Sequence, residues 1–376
     1  MTQTTETRVA AVPAGSSGAG HWPEGPEAVG RDAQEAQEAA VILAQARASV
    51  DPELRRAVEA LPGSVRRVAL YHFGWEHADG TPAAGHAGKA VRPALVLAAA
   101  RALGAGSERA VRAAAAVELT HNFTLLHDDV MDRDATRRHR PTAWTVFGDA
   151  DAILAGDALQ AQAQLLLAED PHRAAPAAAA RLASCVVELC AGQSTDVALE
   201  RRDPAAVTLE ETLAMAEAKT GALLGCACAI GGLYAGADEE EVAALDAFGR
   251  AAGLAFQLID DVIGIWGDPA RTGKPAGADL AVRKKSLPVV AALAEGGLAG
   301  GDLAALYGPP PPRKESEAEL EAIVRAVERA GGRDWAQTQA ADQMSRAMYH
   351  LQRAVPVPEA ADGLLALAEF VTRRGC

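Results

Sequence analysis

Two clusters of aspartates are the residues best suited to chemistry in this chain. The first contains Asp128, Asp129 and Asp132, and the second is the pair Asp260 and Asp261. On a helix, Asp128 and Asp132 would be neighbours roughly 5–6 Å apart at Cβ, which holds two negative charges close together. A hard cation such as Mg2+ removes this repulsion because it binds carboxylate and phosphate oxygens together. Two such clusters facing each other would bind a diphosphate through metal ions.

The segments that carry the clusters read as helices. The residues that lead into the two clusters include apolar side chains: Leu119, Phe123, Leu125 and Leu126 before the first, and Phe256, Leu258 and Ile259 before the second. Aromatic residues make up only 4% of the chain, whereas Ala and Leu dominate it, and this composition favours helices over strands. Thr208 with Glu211 three residues later predicts a capping box at the start of another helix. We therefore predict an all-α fold, a large single helical bundle with a central cavity.

The bulk composition limits the classes of partner. The formal net charge of −14 argues against nucleic-acid binding, so an anionic substrate must be held locally by metals and a few placed Lys and Arg residues. The five scattered cysteines predict free thiols in a reducing cytosol, and no signal peptide is visible. The longest uncharged stretch, residues 220–237, is rich in Gly and Ala and predicts a buried bundle helix rather than a membrane span.

The chain divides into two unequal parts. Residues 1–30 are rich in Thr, Ala, Gly, Pro and Glu and have no apolar period, so we expect a disordered N-terminal tail. Helical patterning then continues through most of residues 31–376, which predicts one helical domain. No internal repeat is present at the periods of solenoid proteins.

Seven short motifs, in order along residues 60–375, resemble those of the trans-polyprenyl diphosphate synthases. A single DDxxD motif would be weak evidence, whereas seven ordered matches are specific. They are GKAVRP at 88–93, DDVMD at 128–132, RRHRPT at 137–142, GQSTD at 192–196, KT at 219–220, FQLIDD at 256–261 and TGK at 272–274. The resemblance implies the isoprenoid synthase type of helical bundle and prenyl transfer from an allylic diphosphate to isopentenyl diphosphate.

The resemblance also implies which residues hold the allylic diphosphate. Three Mg2+ ions would bridge it to the protein and neutralise the leaving group. The metal ligands would be Asp128, Asp132, Asp260 and Asp261, with Lys219, Lys274 and Arg137 donating charge-assisted hydrogen bonds to the same group. Thr220 and Gln257 would contact the substrate.

The second substrate, isopentenyl diphosphate, needs a basic pocket without metal because it must not ionise. By resemblance this pocket contains Lys89, Arg92, His121 and Arg138. Lys89 and Arg92 can share a face if their segment is helical, and His121 lies two helical turns before Asp128, so it is on nearly the same face.

Product length should depend on the residues that precede the first cluster. Phe123 lies about one turn before Asp128 and would form a floor that stops elongation. An aromatic residue at that position resembles geranylgeranyl diphosphate synthases, which predicts a twenty-carbon product, with farnesyl diphosphate as the next choice. The runner-up class is a class I terpene cyclase, because Asp260, Gly264 and Asp268 have the spacing of the second metal motif of those enzymes. Cyclases lack the GKxxRP site, which this chain has.

Two positions depart from the family pattern. Gly264 stands where a third aspartate is usual, and Asp268 one turn later, or water, would replace the missing carboxylate. His139 stands where the family usually has glycine, with an unknown effect on the adjoining arginines.

Two further hypotheses concern partners. Some similar sequences are cargo enzymes whose N-terminal extension docks inside a protein shell (an encapsulin), and His21, Trp22 and Pro23 form an anchor-like patch for such docking; the alternative is an inert leader. The chain could also be the regulatory subunit of a heteromeric synthase. By resemblance we expect a homodimer, in the cytoplasm or inside a shell.

Overall fold

The computed structural model describes residues 26–83, 85, 88–268, 277–307 and 316–372. Most of these residues lie in helices, so the predicted all-α fold is confirmed. The helices are α1 Pro26–Glu59, α2 Gly63–His72, α3 Val91–Ala102, α4 Val111–Met131, α5 Ala143–Phe147, α6 Asp149–Ala168, α7 Ala175–Glu200, α8 Leu209–Ala216, α9 Ala222–Ala235, α10 Glu239–Trp266, α11 Ala278–Ala281, α12 Leu287–Ala294, α13 Gly297–Leu306, α14 Glu317–Arg329, α15 Gly332–Ala354 and α16 Pro358–Thr372.

Shorter elements join some of these helices. A π-helical segment, Glu217–Gly221, connects α8 to α9, and 3-10 turns occur at Ser107–Ala110 and Pro204–Ala206. The strands β1 Thr136–Arg137 and β2 Arg140–Pro141 pair antiparallel in a small hairpin after α4.

Helix α4, which carries the first aspartate cluster, lies inside the bundle and packs against α1, α3, α6 and α9. Its residues Ala113 to Ala116 are fully buried, and so are Val117 and Leu119 on other sides of the helix. A stretch that is apolar on all sides must be covered by neighbours, which explains the internal position of this part of α4. The bundle therefore places Asp128 near the end of a core helix.

Helices α9 and α10 approach each other closely because glycines face each other at their crossing. A Cβ at Gly249 would lie 2.5 Å from the carbonyl oxygen of Leu224 and 2.7 Å from the Cα of Gly225, and neither backbone atom can move independently. This crossing brings the end of α10, with Asp260 and Asp261, towards the start of α9.

Capping residues define where several of these helices begin. The predicted box at Thr208 and Glu211 is confirmed, and Asp238 with Glu241 forms an equivalent box at the start of α10. Helix α1 begins at Pro26, so the last residues of the predicted 1–30 tail are helical, and residues 1–25 lie outside the described residues. The division of the chain at residue 30 otherwise stays a prediction.

Three helical stretches are long and apolar enough to cross a membrane, by length and composition alone: Ala175–Glu200, Leu209–Ala235 and Glu239–Trp266. In the fold they pack together, and the most apolar windows of the last two are 67% and 61% buried. Helix α9, within the predicted buried stretch 220–237, has nearly all of its residues in the core. Among the described residues, Cys185, Cys190, Cys226 and Cys228 are free thiols, as predicted.

Candidate active site

One cavity of about 570 Å3 lies between α4, α7, the α8–α9 junction and α10. It brings together most of the residues predicted to bind substrate or metal. The predicted residues that line it are Lys89, Arg92, His121, Asp128, Arg137, Arg138, Lys219, Thr220, Gln257, Asp260 and Asp261. Asp132 and Phe123 lie outside its wall, and Lys274 falls outside the described residues.

The first aspartate cluster occupies the last turn of α4. The backbone N–H of Asp132 donates to the carbonyl of Asp128 at 2.8 Å, so the two carboxylates are one helical turn apart, as predicted. Burial, helped by the charge of Asp132, raises the pKa of Asp128 to about 6 against the opposing effect of Lys219. Asp129 is buried and accepts a hydrogen bond from Nε of Arg137 at 2.7 Å. Asp128 therefore faces the cavity, while Asp129 holds Arg137.

The π-helical segment places Lys219 and Thr220 on the cavity wall, and such segments are frequent at functional sites. The segment can pack closely on α7 because residue 192 is glycine. A Cβ at Gly192 would lie only 2.7 Å from the backbone nitrogen of Lys219. Nζ of Lys219 donates to Oδ2 of Asp196 on α7 at 2.6 Å. Burial alone would lower the pKa of Lys219, but Asp196 and Asp128 raise it above its usual value, so the ammonium stays charged.

A chain of hydrogen bonds fixes the second aspartate cluster. Thr220 Oγ1 donates to Gln257 Oε1 at 2.7 Å, and Gln257 Nε2 donates to Asp261 Oδ1 at 2.9 Å. The backbone N–H of Leu287 donates to Asp261 Oδ2 at 2.9 Å, so both oxygens of this carboxylate accept hydrogen bonds within the protein. Burial raises the pKa of Asp261 to about 6.

These contacts show how three predicted site residues are held in the fold. Asp261, predicted as a metal ligand, lines the cavity, and its buried carboxylate also joins α10 to α12 because both of its oxygens accept hydrogen bonds within the protein. Thr220 and Gln257 support it in that role. Asp260, the preceding residue, lines the same cavity, so metal binding by the two carboxylates of this cluster stays a prediction.

The predicted pocket for the second substrate forms at the start of α3. Arg92 Nη1 lies 3.1 Å from His121 Nε2, and burial together with Arg92 lowers the pKa of His121 well below its usual range. His121 is therefore neutral and accepts this hydrogen bond. Lys89 and Arg92 do not share a helical face, because α3 begins at Val91 after the left-handed Ala90. Lys89 lines the same cavity, with Nζ 5.2 Å from the ring centroid of Phe370 on α16.

The β1–β2 hairpin presents Arg137 and Arg138 to the cavity. Its two turn residues, Arg138 and His139, have positive φ angles of 52° and 60°. A two-residue hairpin turn with both φ angles positive favours glycine and asparagine, which explains why glycine is usual at the position of His139. The departure at His139 thus adds local backbone strain and leaves the hairpin formed.

Phe123 is 9% exposed and packs between α4 and α6 beside the cavity. Its ring contacts His127 edge to face at 4.8 Å between centroids, and His127 Nε2 lies 3.0 Å from the carbonyl oxygen of Ile153. A Cβ at Gly156 would be 2.4 Å from the His127 ring, so this glycine makes room for the pair. Thr124 and Leu125 form the adjacent wall.

Sequence reasoning missed three charged residues of the cavity: Glu118, Lys284 and Lys285. Glu118 is nearly fully buried, and burial raises its pKa to about 7 despite Arg92 nearby. Its position as a carboxylate next to the apolar residues 113–117 was a signal from which Glu118 could have been predicted. The two lysines directly precede the Ser286 cap of α12, where a basic pair at a helix start is unusual.

The site fits a metal whose coordination the substrate completes. Asp128 and Asp260 offer hard oxygen atoms from different helices into one cavity. Within the described part of the chain, no group of three His, Cys, Asp or Glu side chains is close enough to hold a metal alone. Mg2+ commonly binds through one or two carboxylates and completes its shell with substrate phosphates and water, which this arrangement allows.

Comparison with known proteins agrees with this geometry. A model of the polyprenyl synthetase family matches residues 81–327. A geranylgeranyl diphosphate synthase of Mycobacterium tuberculosis is 48% identical over 336 residues, covering 89% of this chain and 94% of that protein. A (2E,6E)-farnesyl diphosphate synthase of Mycobacterium bovis is 44% identical over 337 residues, covering 89% and 92%. The crystal structure of a polyprenyl synthetase from Streptomyces coelicolor superposes with a TM-score of 0.84 at 46% identity, covering 88% of this chain and 98% of that one.

Proposed function

This chain belongs to the polyprenyl synthetase family and catalyses short-chain prenyl transfer, and from that premise we propose that its main product is geranylgeranyl diphosphate. The observation that carries the reaction class is one cavity that joins Asp128 and Asp260 to a basic pocket at Lys89, Arg92 and His121. The product length is supported by the 48% identity to a protein named for that product, against 44% for a farnesyl diphosphate synthase.

We propose divalent metal, Mg2+ in particular, with up to three ions bound through Asp128, Asp132 and Asp260. When bound, such ions would neutralise the diphosphate leaving group as the carbon–oxygen bond breaks. The pKa of Asp128, raised to about 6, supports a need for a cation beside this carboxylate. Lys274, predicted to contact the same diphosphate, lies outside the described residues.

The protein's own residues perform the binding and the exclusion of water. Arg137 and Lys219 donate to the allylic diphosphate on the side of the aspartates. Arg92 and Lys89 hold the second diphosphate on the other side, so that isopentenyl diphosphate can attack the allylic carbon. Between them, Leu223 on α9 lies in the wall and keeps water from the reacting carbons.

The product proposal is tested by chain-length analysis. The purified chain is incubated with Mg2+, radiolabelled isopentenyl diphosphate and, separately, five-, ten- and fifteen-carbon allylic diphosphates, and the dephosphorylated products are separated by chromatography. Twenty-carbon product from all three starters is expected, and an end point at fifteen carbons would overturn the proposal. Activity of the chain alone would also exclude a purely regulatory subunit.

A pair of variants tests Phe123 as the floor. Phe123→Ala opens space beside Thr124, so products longer than twenty carbons are expected. Leu126→Ala is the control for loss of a buried apolar side chain from α4, because Leu126 is buried in the same hydrophobic core as Phe123. Unchanged chain lengths with Phe123→Ala would refute the floor role.

We propose a homodimer formed through α6 and α7. Large apolar side chains are exposed on these two helices, among them Leu154 at 55% and Val187 at 71% exposure. Apolar surface of this kind favours association with a second copy. Sedimentation of the wild type against a Leu154→Glu and Val187→Glu double variant tests this, and a monomeric wild type would refute it.

We propose that the N-terminal tail docks the enzyme inside a protein shell, which would keep it in the cytoplasmic compartment. His21, Trp22 and Pro23 supply the anchor-like patch. A chain lacking residues 1–25 should keep full prenyl transfer activity and lose co-purification with a co-expressed shell protein. Unchanged co-purification would show that the tail is an inert leader.

A further inference from the structure

The position of the missing third aspartate is filled by a carboxylate from elsewhere in the chain. Gly264 lies on α10 one turn after Asp260. A Cβ at Gly264 would lie 2.2 Å from Oδ2 and 2.7 Å from Cγ of Asp279. The Asp279 carboxylate therefore occupies the space into which a side chain at residue 264 would project.

Asp279 is held there by the short helix α11. The backbone N–H of Gly277 donates to the carbonyl of Ile265 at 3.1 Å, and Gly277 adopts a left-handed conformation with φ of 72° that turns the chain back onto α10. Leu280 is fully buried in the same hydrophobic cluster as Ile265. These contacts hold α11 against the end of α10, and this packing places Asp279 over Gly264.

The Asp279 carboxylate lies close to Lys284, a residue of the cavity wall. Nζ of Lys284 is 3.8 Å from Oδ2 of Asp279 and 4.0 Å from Oδ1 of Asp261. Lys284 lines the cavity together with Asp260. Its ammonium thus lies within 4.0 Å of two carboxylates that belong to different helices.

We propose that Asp279 serves as the third carboxylate of the second aspartate cluster. The absence of a side chain at Gly264 leaves the space that the Asp279 carboxylate occupies. Asp279 is a positioning residue: with Asp261 it orients Lys284 towards the diphosphate, and it restores the negative charge that the cluster loses at residue 264. This inference rests on the proposed binding of a metal–diphosphate complex. It replaces Asp268, the substitute suggested by spacing alone.

The test exchanges the two residues. The variants are Asp279→Asn, Gly264→Asp, and the double variant Gly264→Asp with Asp279→Gly, which returns the carboxylate to α10. Asp268→Asn is the matched control. Binding of inorganic pyrophosphate in the presence of Mg2+ is measured by calorimetry, together with kcat and KM for the allylic substrate and the thermal unfolding midpoint.

Asp279→Asn is expected to weaken Mg2+-dependent pyrophosphate binding about tenfold, equivalent to about 1.4 kcal/mol. Gly264→Asp should weaken it too, because two carboxylates would compete for one space. The double variant should return to within about threefold of the wild type, a rescue that a merely structural role of Asp279 would not produce.

Wild-type affinity in Asp279→Asn, additive losses in the double variant, or a loss in Asp268→Asn alone would overturn the inference. The thermal midpoint separates loss of folding from loss of binding, and the double variant keeps the test decisive if one single variant unfolds. A wild-type chain that does not bind pyrophosphate with Mg2+ would instead overturn the proposed metal site.

Discussion

Replacing Glu118 by glutamine should stabilise the protein at neutral pH and leave it unchanged in acid. Glu118 is 4% exposed, and Asn122 Nδ2 donates to its Oε1 at 3.2 Å and to its backbone oxygen at 2.8 Å. His72 Nε2 lies 3.1 Å from Asn122 Oδ1, and burial lowers the pKa of His72 to about 3, so this histidine is neutral and donates. Glutamine preserves the acceptor that Asn122 requires, and the substitution removes only the ionisable group.

The size of the expected stabilisation follows from the pKa of Glu118, which burial raises from 4.5 to about 7. A carboxyl whose pKa is raised on folding binds its proton more tightly in the folded state. Between pH 4.5 and 7 the folded state therefore holds more protons, and the free energy of unfolding of the wild type falls as pH rises. A shift of this size corresponds to about 3 kcal/mol at pH 8, where the penalty is complete.

The assay is urea unfolding followed by circular dichroism at fixed protein concentration, from pH 5 to 8.5. The difference in unfolding free energy between Glu118→Gln and the wild type should be small at pH 5 and grow towards about 3 kcal/mol at pH 8. Glu240→Gln, an exposed glutamate on α10, is the control and should show no such growth. A difference that does not change with pH, or a variant less stable than the wild type at pH 8, would refute the reasoning.

Two further predictions concern the cavity wall and the helix crossing. Asp196→Asn removes the charged partner that lies 2.6 Å from Lys219 Nζ, so kcat/KM should fall about tenfold or more, with little change in the thermal unfolding midpoint. Steady-state kinetics measure this effect, and an unchanged kcat/KM would contradict the prediction. Gly249→Ala should destabilise the protein by about 1–3 kcal/mol, because its Cβ would meet the Leu224 carbonyl at 2.5 Å. Gly301→Ala, an open helical position, should instead be neutral or slightly stabilising, and equal effects of the two in urea unfolding would count against the close approach.

Local patterns in the sequence were sufficient for the helices and for the main chemistry. The Thr208–Glu211 box is a short-range signal, and the structure has it as predicted. The spacing of Asp128 and Asp132 predicted one helical turn between them, and α4 provides it. These predictions succeeded because each depends on residues a few positions apart.

The partners of individual residues could not be predicted from local patterns, since these partners come from distant parts of the chain. Spacing in the sequence does not indicate that Asp261 also accepts hydrogen bonds from the amide of Leu287 and the side chain of Gln257. Lys89 and Arg92 line one cavity without sharing a helical face, because Ala90 turns the chain before α3 begins.

The sequence by itself determined the reaction class, short-chain prenyl transfer, because seven ordered motifs resemble one enzyme family and the comparisons agree with that family. Only the tertiary structure decided how each group is used, because burial and pairing depend on which helices meet. Packing of α11 on α10 puts Asp279 over Gly264, and burial in α4 makes Glu118 a group that titrates near neutral pH. A carboxylate's identity is encoded locally, whereas its charge and its partners are set by the fold around it.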